Sequence, residues 1–179
     1  YNITPRAHPV YLPITMMIDT IDVYDNDITT LTPLTNDQRY ETSYVNRDTN
    51  NNFAYFGDSW VSYEGVRAPY NSGTNYDQAQ EFGAGILFHA QNADGLTFYT
   101  NLAYHHAPIR VCVLPINPGA TAIGDTSLAR CFDASLAGYG YQKSISFRFR
   151  DFLEDPATDY MVSIVSTTSG ILPVDAIEA

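Results

Sequence analysis

Hydrophobic and polar positions along this chain alternate with the two-residue period of extended backbone. The clearest case is residues 142–153, where Ile145, Phe147 and Phe149 share one face against Ser144, Ser146, Arg148 and Arg150 on the other. That pattern predicts an antiparallel strand buried on one side. Residues 108–116 repeat it, with Ile109, Val111 and Val113 alternating with Arg110, Cys112 and Leu114. If the odd positions face the core, an arginine and a cysteine face outwards together. Further β-branched and aromatic runs at 14–24, 28–34, 53–56, 60–66, 83–91, 96–104 and 160–168 predict short strands. Asn92-Ala93-Asp94-Gly95 between two of these runs reads as the turn of a hairpin.

The stretches between the runs are polar and rich in Gly, Pro and Asn. Residues 36–52, 67–80 and 117–140 therefore read as long loops, and 154–159 as a turn. Residues 1–13 carry Pro5, Pro9 and Pro13 and predict an extended arm that cannot be helical. Residues 14–168 then form one β-domain, and 169–179 read as a C-terminal tail. About eight to ten short strands, with no amphipathic helix and no internal repeat, predict an all-β chain: an antiparallel two-sheet sandwich, a single jelly roll.

A length of 179 residues suits one domain large enough to fold without disulfides. Composition adds an acidic surface, because 20 Asp and Glu face 9 Lys and Arg, for a net charge of −11. Lys143 is the single lysine. Such a surface repels nucleic acid and anionic lipid. Near-absence of lysine beside dense carboxylates is also what high-salt adaptation favours, since carboxylates stay hydrated when charges are screened. No apolar run is long enough to cross a bilayer as a helix.

Candidate chemistry is sparse. Cys112 and Cys131 are spaced for neither zinc nor thioredoxin-like chemistry, and can pair with each other, pair with other subunits or stay free. Of the four histidines, His8, His89, His105 and His106, the adjacent pair would point to opposite faces of a strand, which disfavours a shared metal. Asp25/Asp27 and Asp155/Asp159 offer oxygen ligands for a structural calcium but lack the EF-hand spacing. No nucleophile elbow, phosphate loop, dinucleotide fingerprint or HExxH motif occurs, so no enzyme is expected and no cofactor is implied. Trp60, Tyr63, Tyr70, Tyr76, Tyr139 and Tyr141 are candidates for a sugar-binding platform, since an aromatic face packs against a pyranose ring. Asn2-Ile3-Thr4 is a glycosylation acceptor pattern if the chain is exported.

The size, the sandwich, the proline-bearing arm, the almost lysine-free acidic surface and the cysteines on strand and loop together resemble one family. It is the smaller, single jelly-roll major capsid protein of the icosahedral, internal-membrane-containing viruses of halophilic archaea. The resemblance implies a structural subunit of the virion, assembling in high salt with copies of itself and a second, larger capsid protein around a viral membrane, without direct contact to nucleic acid. Arg110, Cys112, Cys131, Pro5 and Pro9 would then be subunit contacts, with Cys112 a candidate cross-link to another chain. The competing expectation is a secreted carbohydrate-binding or adhesin β-sandwich module.

Overall fold

The structure is a computed structural model that describes residues 31–35, 38–46, 49, 51–64, 75–102, 106–118, 128–134, 140–151, 153 and 159–179. Its strands in chain order are β1 (Leu34–Thr35), β2 (Arg39–Glu41), β3 (Ala54–Phe56), β4 (Val61–Glu64), β5 (Asn75–Ala79), β6 (Gly85–Gln91) and β7 (Gly95–Leu102). They continue as β8 (Ile109–Ile116), β9 (Arg130–Ala134), β10 (Gly140–Arg148), β11 (Asp159–Ser166), β12 (Leu172–Val174) and β13 (Ala176–Glu178).

One sheet runs β1-β6-β11-β8-β9, with β3 also paired to β6, and all its pairings are antiparallel except β1 with β6. The other is built from β10-β7-β13-β2 and β12-β5-β4. These last two groups are parts of one layer, because only Asp175 separates β12 from β13. The Asp175 N–H donates to the Tyr99 carbonyl at 3.1 Å, and the Thr100 hydroxyl donates to the Pro173 carbonyl at 2.7 Å. The broken strand thus has β7 on one side and β5 and β2 on the other. Between the two sheets lies a core that includes Phe88, Phe98, Ile109, Val113, Ile164 and Ile177. The protein is an all-β two-sheet sandwich.

Alternation explains the strands that the sequence shows most clearly. In β8, Ile109, Val111 and Val113 enter the core between the sheets. In β10, Ile145 and Phe147 pack against that core while Ser144, Ser146 and Arg148 are exposed. This strand stops at Arg148, because Phe149 turns into a short 3-10 segment whose first N–H donates to the Asp94 carbonyl at 2.9 Å. The outward face of the first sheet is buried as well, by a second cluster containing Leu87, Cys112, Leu114, Ile116 and Met161. Strands β6, β8 and β11 are therefore largely buried on both faces, although the outward face also carries His89, Asp159 and Ser163.

Three expectations are corrected. The Asn92–Gly95 turn does not close a hairpin: β6 pairs with β11, β3 and β1, whereas β7 pairs with β10 and β13. The turn carries the chain from one sheet to the other, and Asn92 adopts a positive φ of 52° to do so. The polar stretches 36–52, 67–80 and 117–140, expected as loops, contain β2, β5 and β9. Most important, residues 169–179 are not a tail. Leu172, Val174, Ala176 and Ile177 are fully buried in the middle of the second sheet. The first 30 residues, including the expected arm with Pro5 and Pro9, lie outside the described residues.

Cutting the chain after Ile171 should therefore abolish cooperative thermal unfolding followed by circular dichroism. A tail would be removed with no change in the melting profile.

Candidate functional site

The β4–β5 pair is the most heavily organised polar part of the second sheet. Ser62 and Asp77 are direct cross-strand partners on the inner face, and Tyr63 and Tyr76 are the next pair, on the outer face. Asp77 is fully buried and its carboxylate accepts three hydrogen bonds from neutral donors. Oδ1 takes the Ser62 hydroxyl at 2.5 Å, while Oδ2 takes the Tyr55 phenol and the Tyr44 N–H, each at 2.9 Å. One side chain thus fastens β5 to β4, to β3 and to the segment after β2. Three donors are what a buried carboxylate needs to offset the loss of water. Tyr55 is held protonated in return: burial, and then the adjacent Asp77 charge, push its phenol far above the usual tyrosine range. Tyr44, Tyr55 and Trp60 pack around this network as an aromatic cluster, with Tyr55 edge-on to both of the others.

On the opposite face of the same two strands, the Tyr63 and Tyr76 rings lie parallel, with centroids 5.0 Å apart and an interplanar angle of 10°. Tyr63 is 39% exposed and Val61 beside it is 49% exposed. The Gln78 amide donates to the Tyr63 hydroxyl at 3.3 Å. Burial against its neighbour pushes the Tyr76 phenol up, and the Tyr63 phenol adds to the effect. The result is a stacked aromatic pair on the outer face of two paired strands, with hydroxyl and amide groups beside it.

Of the six aromatic residues expected as a sugar platform, the structure brings together Tyr63 and Tyr76. Trp60 is buried, and its indole N–H donates to the Phe56 carbonyl at 2.9 Å. Tyr70, Tyr139 and the side chain of Tyr141 lie outside the described residues. Tyr76 stands in a stretch expected as a loop, so only the strand register reveals that the two rings meet.

The expected subunit contacts are placed differently. Cys112 does lie on the outward face of its sheet, but it is 5% exposed and forms a disulfide with Cys131, its direct cross-strand partner. Its sulfur is consumed within the chain, which corrects the expected cross-link to another chain. Arg110 is engaged by Asp133, again a cross-strand partner, through Nε to Oδ1 at 2.6 Å and a second guanidinium nitrogen to Oδ2 at 2.8 Å. These hydrogen bonds hold the Asp133 carboxyl below the usual range and Arg110 above it. Among the histidines, His89 is buried with its Nε2 3.4 Å from Asp159 Oδ2. Asp25, Asp27, Asp155, His8 and His105 lie outside the described residues. Among the described residues no group of three or more His, Cys, Asp or Glu side chains is placed to hold a metal ion.

No protein-family model matches the chain, and no curated relative does. Several solved structures are similar in outline, among them two carbohydrate-binding modules. One is CsCBM6-3 from Clostridium stercorarium in complex with cellobiose, 11% identical, with a TM-score of 0.45 over 82% of this chain and 95% of that one. The other is a family 6 carbohydrate-binding module studied by dissection of its binding subsites, 10% identical, with a TM-score of 0.47 over 82% of this chain and 97% of that one. At these values the likeness says nothing about this chain's ligand, and the reading below stands on the residues themselves.

Two measurements test this description. Folded Tyr55 keeps its proton where an unfolded tyrosine loses one, so its contribution is complete below the unfolded value of 10.0 and is lost as pH rises above it. Urea unfolding at increasing pH should show stability falling beyond about pH 10, and Tyr55→Phe should make that fall shallower. Replacing Cys112 and Cys131 by serine opens a link between residues 19 positions apart. Denaturation should then show a loss of about 3 kcal/mol, and thiol labelling of the unreduced native protein should find no free cysteine.

Proposed function

We propose that this chain is a non-catalytic carbohydrate-binding β-sandwich module that holds a glycan against Tyr63 and Tyr76. The observation that carries the reading is the parallel, stacked Tyr63–Tyr76 pair on the outer face, with Tyr63 39% exposed. The C–H face of a pyranose is apolar and packs on an aromatic ring, while its equatorial hydroxyls need partners at the ring edge. Tyr63, Tyr76 and Gln78 supply both kinds of group. Mounting the rings on paired strands, with Asp77 locking the register behind them, means that little conformational entropy is lost on binding. The Cys112–Cys131 disulfide fits a secreted module, since disulfides persist in oxidising compartments.

Glycan-array screening followed by isothermal titration calorimetry tests the reading. The wild-type chain should bind at least one class of glycan, and Tyr63→Ala or Tyr76→Ala should weaken it roughly tenfold or more, equivalent to about 1.4 kcal/mol. Both variants should melt close to the wild type, because the rings lie on the solvent face. A chain that binds no glycan but self-associates on light scattering as salt is raised would replace the module by the coat-subunit reading.

A further inference from the structure

The outer face of the second sheet continues beyond the tyrosine pair. Val174 pairs with Asp77, and Ala176, two residues on, pairs with both Tyr99 and Glu41. The Tyr76 end of β5 therefore leads, past the buried Asp175 and Ala176, to the half-buried outer residues Glu41, Tyr99 and Glu178 of β2, β7 and β13. There the register aligns Arg39, Glu178, Thr97 and Ser146 in one row across four strands. The row is tied together at the surface. The Arg39 guanidinium carbon sits 3.8 Å above the Tyr99 ring centroid, the Tyr99 phenol donates to Glu178 at 2.9 Å, and the Thr97 and Ser146 hydroxyls are 2.9 Å apart.

Beside this row is an open groove of about 450 Å³, lined by Gly95, Thr97, Ser146, Arg148, Asp151 and Glu178 among others. The groove combines two hydroxyls, two carboxylates and a guanidinium, with Leu96 and Phe147 also in its lining. Among the described residues Arg148 and Asp151 have no ion-pair partner, and both are exposed. Carboxylate and guanidinium groups offer paired acceptors and paired donors, which match the adjacent hydroxyls of a sugar ring. An anionic polysaccharide would meet both carboxylates and a net charge of −11, so an uncharged glycan is favoured.

We infer that this groove is a second glycan subsite, so that the module binds an uncharged oligosaccharide chain laid across the strands from Tyr63 to Arg148. The inference rests on the proposed glycan reading of the tyrosine pair. From β4 to β10 there are four strand steps, roughly 19 Å at the usual sheet spacing. Arg148 lies opposite Gly95, four residues along β7 from Tyr99, about 14 Å further along the strands. The combined span of about 24 Å is one that a short oligosaccharide covers and a single sugar does not.

Calorimetry with a ladder of β-1,4-linked glucose and xylose oligosaccharides, from disaccharide to hexasaccharide, tests this on the full chain. Affinity should rise with length in the wild type. The paired change Ser146→Ala and Arg148→Ala should leave disaccharide binding unchanged and lower hexasaccharide affinity at least fivefold. Thr97→Ser should retain the gain with length, and Tyr63→Ala should weaken every member of the ladder. Polygalacturonate should bind more weakly than the uncharged chains. If the groove variant binds the hexasaccharide as the wild type does, the second subsite is overturned while the tyrosine platform stands. If no oligosaccharide binds the wild type, or if Tyr63→Ala binds the whole ladder as the wild type does, the platform fails and the subsite fails with it.

Discussion

The second sheet depends on one strand, the interrupted segment from Leu172 to Glu178. Its inward side chains are fully buried, and its backbone bonds run to β7 on one side and to β5 and β2 on the other. Without it, β4 and β5 would be an isolated two-stranded ribbon, which is at best marginal in water. β2 has only three residues and would have nothing to pair with in that layer. The interruption is what lets one strand serve two neighbours in line: β12 pairs with β5, and β13 with β2. Pro173 cannot donate to a ladder, but its carbonyl is satisfied by Thr100.

The candidate site inherits that geometry. Tyr63 and Tyr76 face solvent because Ser62 and Asp77 face inwards, and the strand period allows no other arrangement. Where the inner residues are polar, the hydrogen bonds among Asp77, Ser62, Tyr55 and Tyr44 take the place that apolar packing occupies elsewhere. The outer face is free of that duty. It carries aromatic surface at one end and hydrogen-bonding groups at the other, on a backbone that needs no rearrangement to present them.

Much of the fold was legible in the residues, and the failures have physical causes. Strands with one wet face, such as β10, announce themselves by alternation. The final strand does not, because both sides are covered and Pro173 and Asp175 interrupt its apolar run, so it resembles a tail. β5, reading NYDQA, looks like a loop, since its inward aspartate is paid for by hydrogen bonds that a sequence does not display. The Asn92–Gly95 turn was recognisable as a turn, but turn chemistry is local. It cannot reveal whether the flanking strands pair or cross between sheets. Trp60, Tyr63 and Tyr76 were all identifiable as aromatic candidates, and only the register separated the buried indole from the pair on the outer face. Cys112 was placed on the correct face, yet its partner depended on β9, hidden in a glycine-rich stretch.

Asp77 also acts as a proofreader of strand assembly. A one-residue slip of β5 against β4 would turn the carboxylate to solvent and bring Tyr76 or Gln78 inwards; a two-residue slip would bury it away from Ser62. An unpartnered buried carboxylate costs several kcal/mol, far more than a mismatched apolar pair. Misregistered forms of this sheet are thus penalised heavily, which gives a short, polar strand a single permitted alignment.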